Sequence, residues 1–228
     1  MSTAKQAAGE AAAALVESGM RLGLGTGSTT AFALEAIGRR IRTEDLDVAG
    51  VPTSFAAERL ARQHGIPLIT LDEVDRLDLA LDGADEIDPD LNLIKGRGAA
   101  HTREKIVASQ ADRFVVLADP SKEVQRLGTR VVLPVEIVPM AAGPILRRLT
   151  AVGASTDIRT GQSKDGPIVT DQGFWLIDAH FSEGIEDPHA LNRLLNDMPG
   201  VLDHGLFLDL ATSVLIGNDD GSVRRSER

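Results

Sequence analysis

Hydrophobic and polar positions along the first half of the chain follow two alternating periods. AKQAAGEAAAALVE (4–17) is alanine-rich and reads as a helix. RLGLGTGSTT (21–30) begins as a short strand and breaks into a glycine-rich turn. A helix follows, with Ala33, Leu34, Ile37 and Ile41 on one face. Ser28, Thr29 and Thr30 stand at its start, where capping hydroxyls belong. DVAGVPTS (47–54) is strand-like, AAERLARQHG (56–65) is helical and ends in glycine, and PLITL (67–71) is strand-like again. LDLALDG (77–83) is an apolar strand running straight into an acidic loop. A helix from about 99 to 112 leads to FVVLAD (114–119), whose apolar run marks a buried strand. Strands and helices alternating at these lengths predict parallel βαβ units.

From about 132 the order changes. VLPVEIVP reads as strand, AGPILRRLTAVG as helix, STDIRT and FWLIDAHF as strands, DPHALNRLLNDMPG as helix and VLDHGLF as strand. This βαββαβ order is the ferredoxin-like unit, with GQSKDG (161–166) as a hairpin loop. ATSVLIG (211–217) reads as a strand returning to the first domain, and NDDGSVRRSER as a frayed tail. The expected fold is α/β: a Rossmann-like parallel-sheet domain (1–131 plus 207–228) and a smaller ferredoxin-like α+β domain (132–206).

Composition narrows the choice. Hydrophobic residues make up 43% of the 228, with one Trp, no Tyr and six Phe, so the core must be aliphatic. The formal net charge is 24 − 34 = −10, which argues against general nucleic-acid binding. An anionic ligand must therefore be held by local cations and backbone amides. Zero cysteines exclude disulfides, thiolate zinc sites and thiol nucleophiles. The N-terminus lacks the basic start and apolar run of a signal peptide, and no stretch approaches the roughly 20 apolar residues of a membrane helix. A soluble, cytoplasmic protein is expected.

In open parallel sheets, ligands bind beyond the carboxyl ends of the strands. Those ends carry TGST (26–29), PTS (52–54), DGAD (82–85) and ADPSK (118–122), four loops expected at one edge. Gly23, Gly25 and Gly27 open a helix and present backbone N–H groups to an anion. The dinucleotide pattern G-x-G-x-x-G needs glycine where Ser28 stands, although its acidic residue exists as Asp45 or Asp47. One phosphate suits this turn better than a pyrophosphate; a plain capped strand–helix turn is the alternative.

Asp82 and Asp85 flank Gly83 at a strand end, whereas Asp88 and Asp90, around Pro89, read as turn residues. Their spacing is not that of an EF-hand. On a helical wheel Ala100, Glu104, Val107, Ala108 and Ala111 share an arc of about 100°, opposite Thr102, Lys105, Ser109 and Asp112. A carboxylate on an apolar face is costly unless a cation or a function compensates. Lys95, after the apolar LNLI, is a candidate partner, so a structural Lys95–Glu104 ion pair and a reactive group both fit. Lys122 is a second cation at this edge, or a surface lysine at a helix start. His64, His101, His180, His189 and His204 have no metal-ligand spacing, and His101 reads as structural or peripheral. A phosphate cradle with a buried Glu, two Asp and two Lys suits proton abstraction beside a carbonyl. The Glu moves the carbon-bound proton, a cation stabilises the enediolate, and a second carboxyl shuttles hydroxyl protons.

GLGTGST, LDGADEID, LIKGRGAAHTREKIVA, ADPSK, LPVEIVPM and PGVLDHGLF, in this order and spacing, resemble the type A ribose-5-phosphate isomerase family. The resemblance covers nearly the whole chain. It implies interconversion of ribose 5-phosphate and ribulose 5-phosphate in the pentose phosphate pathway, with no cofactor and no metal. It implies Glu104 as the base and Asp82, Asp85 and Lys95 as further catalytic residues. Thr26, Gly27, Ser28, Thr29, Gly83, Ala84, Gly96, Arg97, Gly98 and Lys122 are the implied substrate-binding residues, and Lys5 matches a phosphate-approaching lysine. Glycines 83, 96 and 98 are expected to let the backbone approach the sugar. Arg97 stands where the family usually has Gly, with its side chain expected to point outward, and His101 stands where an aliphatic residue is common. The implied partners are a phosphosugar substrate and further copies of the chain, as homodimer or homotetramer, meeting through a ferredoxin-like lid and oligomerisation domain; no nucleic acid and no membrane is implied. A non-catalytic sugar-phosphate sensor, a nucleotide-dependent oxidoreductase, and a sugar-phosphate deaminase or transferase are the rival readings.

Overall fold

The computed structural model describes residues 3–161 and 164–228. Its elements in chain order are α1 (Thr3–Ala13), β1 (Arg21–Leu24), α2 (Ser28–Glu44), β2 (Ala49–Pro52), α3 (Phe55–Gln63), β3 (Leu77–Gly83), β4 (Glu86–Ile87) and β5 (Leu93–Ile94). Then come α4 (His101–Ser109), β6 (Ala111–Ala118), β7 (Leu133–Ile137), α5 (Ala142–Ala151), β8 (Ser155–Ile158), β9 (Trp175–His180) and α6 (Pro188–Asn196). β10 (Val201–His204), β11 (Leu206–Phe207), β12 (Ser213–Gly217) and β13 (Val223–Glu227) complete the chain. Two compact units result: Met1–Ala84, Arg103–Glu123 and Asp209–Arg228 form the first, and Asp85–Thr102 with Val124–Leu208 the second.

The first unit is built on a six-stranded sheet in the order β13-β12-β6-β3-β1-β2. Five strands run parallel and β13 is antiparallel to β12. Its core is aliphatic, as the scarcity of aromatics required. Leu22, Leu24, Leu79, Leu81, Val115 and Leu117 from the strands meet Leu34 and Ile37 from α2. Each fully buried Leu or Ile contributes about 1.5–3 kcal/mol of transfer free energy. Ala8, Ala12 and Ala13 bring α1 into the same core, where small side chains permit close approach to α2. Of the expected α2 face, Ala33, Leu34 and Ile37 are buried and Ile41 packs partly exposed at its edge.

Two segments of this unit depart from expectation. PLITL forms no named strand; Leu68 makes one parallel bridge to Gly50, and a 3-10 turn follows at Leu71–Glu73. Pro67 has no N–H to donate, which limits this segment to a fragment of a ladder. The supposedly frayed tail instead supplies β13, paired with β12 from Gly217↔Val223 to Ser213↔Glu227. A turn at Asn218–Ser222 closes this hairpin through Asn218 N–H donating to Ser222 and Gly221 N–H donating to Asn218.

The second unit contains a four-stranded antiparallel sheet in the order β10-β7-β9-β8. For a βαββαβ chain this is the order fourth, first, third, second: the ferredoxin-like arrangement expected from the sequence. Leu133, Val135, Ile137, Ile177 and Ala179 pack with Ile145 and Leu149 of α5 and Leu195 of α6. The expected hairpin loop GQSKDG includes Gln162 and Ser163, which lie outside the described residues; Thr160 and Pro167 bridge its flanks. VLDHGLF is not one strand. It breaks at Gly205 into β10, in this sheet, and β11, which joins β5 and β4 in a separate three-stranded sheet.

Candidate active site

In the first unit the strand order changes direction between β1 and β3: β2 extends one side, β6 and β12 the other. Ligands of open parallel sheets bind at such switch points. Here Thr26 N–H and Gly83 N–H both donate to Asp82 Oδ1, at 2.9 and 2.8 Å. Thr26 Oγ1 shares hydrogen bonds with Thr53 Oγ1 (2.9 Å) and Ser54 Oγ (2.7 Å), and Ser54 caps α3 by accepting from Ala57 N–H. Three of the four expected loops are thereby joined. Gly25 makes this possible, because a Cβ at 25 would lie 2.4 Å from the Asp82 carboxyl carbon.

Gly27 occupies the N-cap of α2, so Ser28, Thr29 and Thr30 lie inside the first turn and do not cap it. The expected capping role is corrected accordingly: the N-cap is glycine and makes no side-chain cap bond. Thr29 and Thr30 are buried, while Ser28 accepts a hydrogen bond from Lys5 Nζ at 3.0 Å. Lys122 ends the 3-10 turn Pro120–Lys122 after β6, capped by Asp119 accepting from Ser121 N–H at 3.0 Å. Glu104 is 6% exposed on α4 and is buried with Val107 and Ala108 as the wheel predicted, but also with His101 and Thr102. The helix is shorter than the expected 99–112, so Ala100 precedes it and Ala111, only partly buried, begins β6. Val107 lies where any side chain at Gly23 would have to go, which sets α4 against β1.

The second unit carries Asp85, Lys95 and the KGRG loop. Lys95 is buried; its N–H donates to Gly205 and its ammonium lies 5.5 Å from the Phe207 ring centroid, a cation–π contact. Asp85 N–H donates to Ile94 at 2.8 Å, and Arg97 N–H donates to Asp85 Oδ2 at 3.0 Å. Gly96 has φ +101°, and a Cβ there would strike the His101 ring at 2.6 Å. At Gly83 and Gly98 neither φ nor crowding demands glycine, so the protein's own packing explains only one of those three. The Arg97 side chain is exposed, and lines a cavity of about 330 Å³ with Asp85, Arg130, Val131, Val132 and Arg159. His101 is fully buried.

Two further carboxylates are buried: Glu86, which the sequence suggested only as one charge of a solvated acidic turn or calcium loop, and Glu136, which it did not single out. Glu86 accepts from Gly128 N–H through Oε2 and from Arg130 and Val131 N–H through Oε1, fastening the 128–131 loop. Glu136, on β7, accepts from the Thr102 and Thr170 hydroxyls. This explains why Thr102, placed on the polar side of the wheel, is buried. Burial pushes the Glu136 pKa above the ordinary carboxylate range, partly offset by the two hydroxyls, with Asp203 and Asp171 adding to the rise. A glutamate inside the apolar run LPVEI was the available signal. Asp88 is a turn residue, accepting from Asp90 and Asn92 N–H. Among the described residues no cluster of three or more His, Asp or Glu is arranged to hold a metal ion.

A buried carboxylate and a glycine-capped helix start at the switch point of a parallel sheet are the arrangement of an α/β enzyme for a small anionic metabolite. The family model for ribose 5-phosphate isomerase A (phosphoriboisomerase A) matches residues 49–221. Ribose-5-phosphate isomerase A of Gloeothece citriformis is 55% identical over 98% of this chain and 94% of its own. The structure of ribose 5-phosphate isomerase A from Methanocaldococcus jannaschii superposes with a TM-score of 0.93 at 44% identity, over 98% of both chains. A D-ribose-5-phosphate isomerase in complex with phospho-erythronic acid gives 0.94 at 43% identity, over 98% of this chain and 97% of the other. The chain belongs to the ribose 5-phosphate isomerase A family. It is an aldose–ketose isomerase, interconverting D-ribose 5-phosphate and D-ribulose 5-phosphate.

Proposed function

We propose that Glu104, Asp82, Asp85 and Lys95 act together on one open-chain sugar phosphate through an enediolate. The observation that carries this reading is the Glu104 carboxylate itself, only 6% exposed on α4 beside Val107 and Ala108. Covalent continuity supports it: only Gly83 and Ala84 separate Asp82 from Asp85, a span of at most about 11 Å between Cα atoms. In the forward direction Glu104 removes the C2 proton of ribose 5-phosphate. The C–H electron pair forms the C1=C2 double bond, and the former carbonyl electrons settle on O1. Lys95 stabilises that oxyanion. Asp82 and Asp85 relay hydroxyl protons during ring opening and between O2 and O1. Glu104 then returns its proton to C1, leaving the ketone at C2. Thr26, Gly27, Ser28 and Thr29 receive the phosphate on the first turn of α2, with Lys5 and Lys122 supplying charge. Gly83, Ala84, Gly96, Arg97 and Gly98 offer backbone to the sugar. Phospho-erythronic acid, bound by a relative, carries a phosphate and a planar carboxylate, the charge distribution an enediolate phosphate presents.

The test is turnover of ribose 5-phosphate in chelator-treated buffer, for wild type beside folded Glu104→Gln. Loss of about 10²–10⁴-fold in kcat is expected from removing the general base, and product formed in D2O should carry deuterium at C1. Undiminished Glu104→Gln turnover would remove the mechanism. We also propose that residues 132–206 serve as lid and oligomerisation domain of a cytoplasmic homodimer or homotetramer. Met140, Val152, Val169 and Leu202, large exposed apolar side chains, all fall there. Light scattering should then return two or four times 24.2 kDa; a monomer would refute this.

A further inference from the structure

We propose that Arg159, oriented by Asp178, is a positioning residue that sets the loop after Lys95 and, through it, the Asp85 carboxylate. The inference rests on the roles given above to Lys95 and Asp85. Arg159 follows β8, and its backbone is fixed by its N–H donating to Leu176 and its carbonyl accepting from Ile168 N–H. Its side chain is 15% exposed. Nε donates to both oxygens of Asp178, at 3.0 and 2.8 Å, and Nη2 donates to Oδ1. This bidentate pair, between the residue after β8 and β9, fixes the plane of the guanidinium. Nη1 is turned the other way. It donates to Gly96 O at 3.2 Å and Arg97 O at 3.0 Å, two consecutive carbonyls of KGRG.

The geometry of one peptide carries the argument. The Gly96 carbonyl and the Arg97 N–H belong to the same planar unit. Arg159 holds its oxygen, and Asp85 Oδ2 accepts from its nitrogen at 3.0 Å. Gly96, at φ +101°, is the residue with the least resistance to rotation of that unit. Rotating the 96–97 peptide would withdraw the donor from Asp85 and shift the chain immediately following Lys95. An ion pair serving only to join β8 to β9 would need Asp178 alone; the bonds from Nη1 go to the loop. Lysine, with one compact ammonium, cannot reproduce a planar fork that engages a carboxylate and two carbonyls together.

The experiment compares kcat and KM for ribose 5-phosphate in wild type, Arg159→Ala, Arg159→Lys and Lys95→Ala, well below each melting temperature. Arg159→Ala should lose about 10–100-fold in kcat, as misplacing catalytic groups does, with KM within about threefold, because the phosphate is held elsewhere. Added guanidinium chloride at low, non-denaturing concentration should restore part of the lost rate, since the vacated space adjoins the 330 Å³ cavity. Sodium chloride at equal ionic strength should not. Arg159→Lys, which keeps the charge, serves if the alanine variant does not fold, and should show the same kcat-only defect. Wild-type kcat in either folded variant, a defect confined to KM, or equal recovery with sodium chloride would overturn the inference. Lys95→Ala retaining wild-type kcat would instead remove the site reading, and the clamp with it.

Discussion

Asp82 and Glu86 stand four residues apart in one acidic stretch, both are buried, and both accept hydrogen bonds from backbone amides, yet they belong to different units. Asp82 ends a parallel strand at the switch point, and its two amide donors, Thr26 and Gly83, both fall on Oδ1. Glu86 begins a two-residue strand and distributes three amides over both oxygens, all from one loop 42 to 45 positions away. The first carboxylate stands at the switch point, where open parallel sheets bind ligands; the second fastens the 128–131 loop. Burial alone therefore does not separate the carboxylate proposed to react from the one that fastens a loop. The position of the group on the sheet does.

The largest expected effect is at Asp82. Asp82→Asn keeps the shape and an amide acceptor, so turnover should fall about 10²–10⁴-fold, as loss of an acid–base group does, while the melting temperature moves little. If steady-state rates changed less than stability, the contrast between the two carboxylates would be broken. Glu86→Ala should do the reverse. Stranding one buried and two part-buried N–H groups costs on the order of 3 kcal/mol, read by urea unfolding, with kcat of the folded fraction near wild type.

Glu136 sharpens the contrast through pH. Burial raises its folded-state pKa above the unfolded value, so the folded state binds the proton more tightly. Its contribution to stability is full below the unfolded pKa and is lost as pH rises through the folded one. The melting temperature of wild type relative to Glu136→Gln should be highest below about pH 4 and fall as pH rises. A difference that grows with pH would reverse the sign argued here. The smallest effect is at the surface of the first unit, where Arg224 on β13 pairs with Glu123 at 2.7 Å, both largely exposed. Arg224→Ala should cost no more than about 1 kcal/mol, measured by chemical denaturation.

Much of the architecture was legible in local pattern. LDLALDG coincides with β3, and the apolar runs at 114–119 and 211–217 fall on β6 and β12, which pair in parallel register. The ferredoxin-like order of the second unit followed from the sequence of periods alone. Of the candidate site, the burial of Glu104 and of Asp82 was legible, since each charge stands among apolar neighbours along the chain; the burial of His101 and Thr102 on the same helix was not. Arg97 directed outward was a steric expectation that the exposed side chain meets.

Sequence by itself determined the alternation of elements, the polar loops at strand ends and the family, because period, glycine placement and motif spacing are properties of neighbours along the chain. Only the tertiary structure decided the partners of the buried polar groups. Glu86 with the 128–131 amides, Glu136 between Thr102 and Thr170, and Arg159 between Asp178 and the Gly96–Arg97 carbonyls all join distant segments. The three-stranded sheet of two-residue strands is likewise too short to leave a period, and the tail became β13 because β12 offered it an open edge. A desolvated donor or acceptor must find a partner wherever packing brings one, and that choice is made by the whole fold.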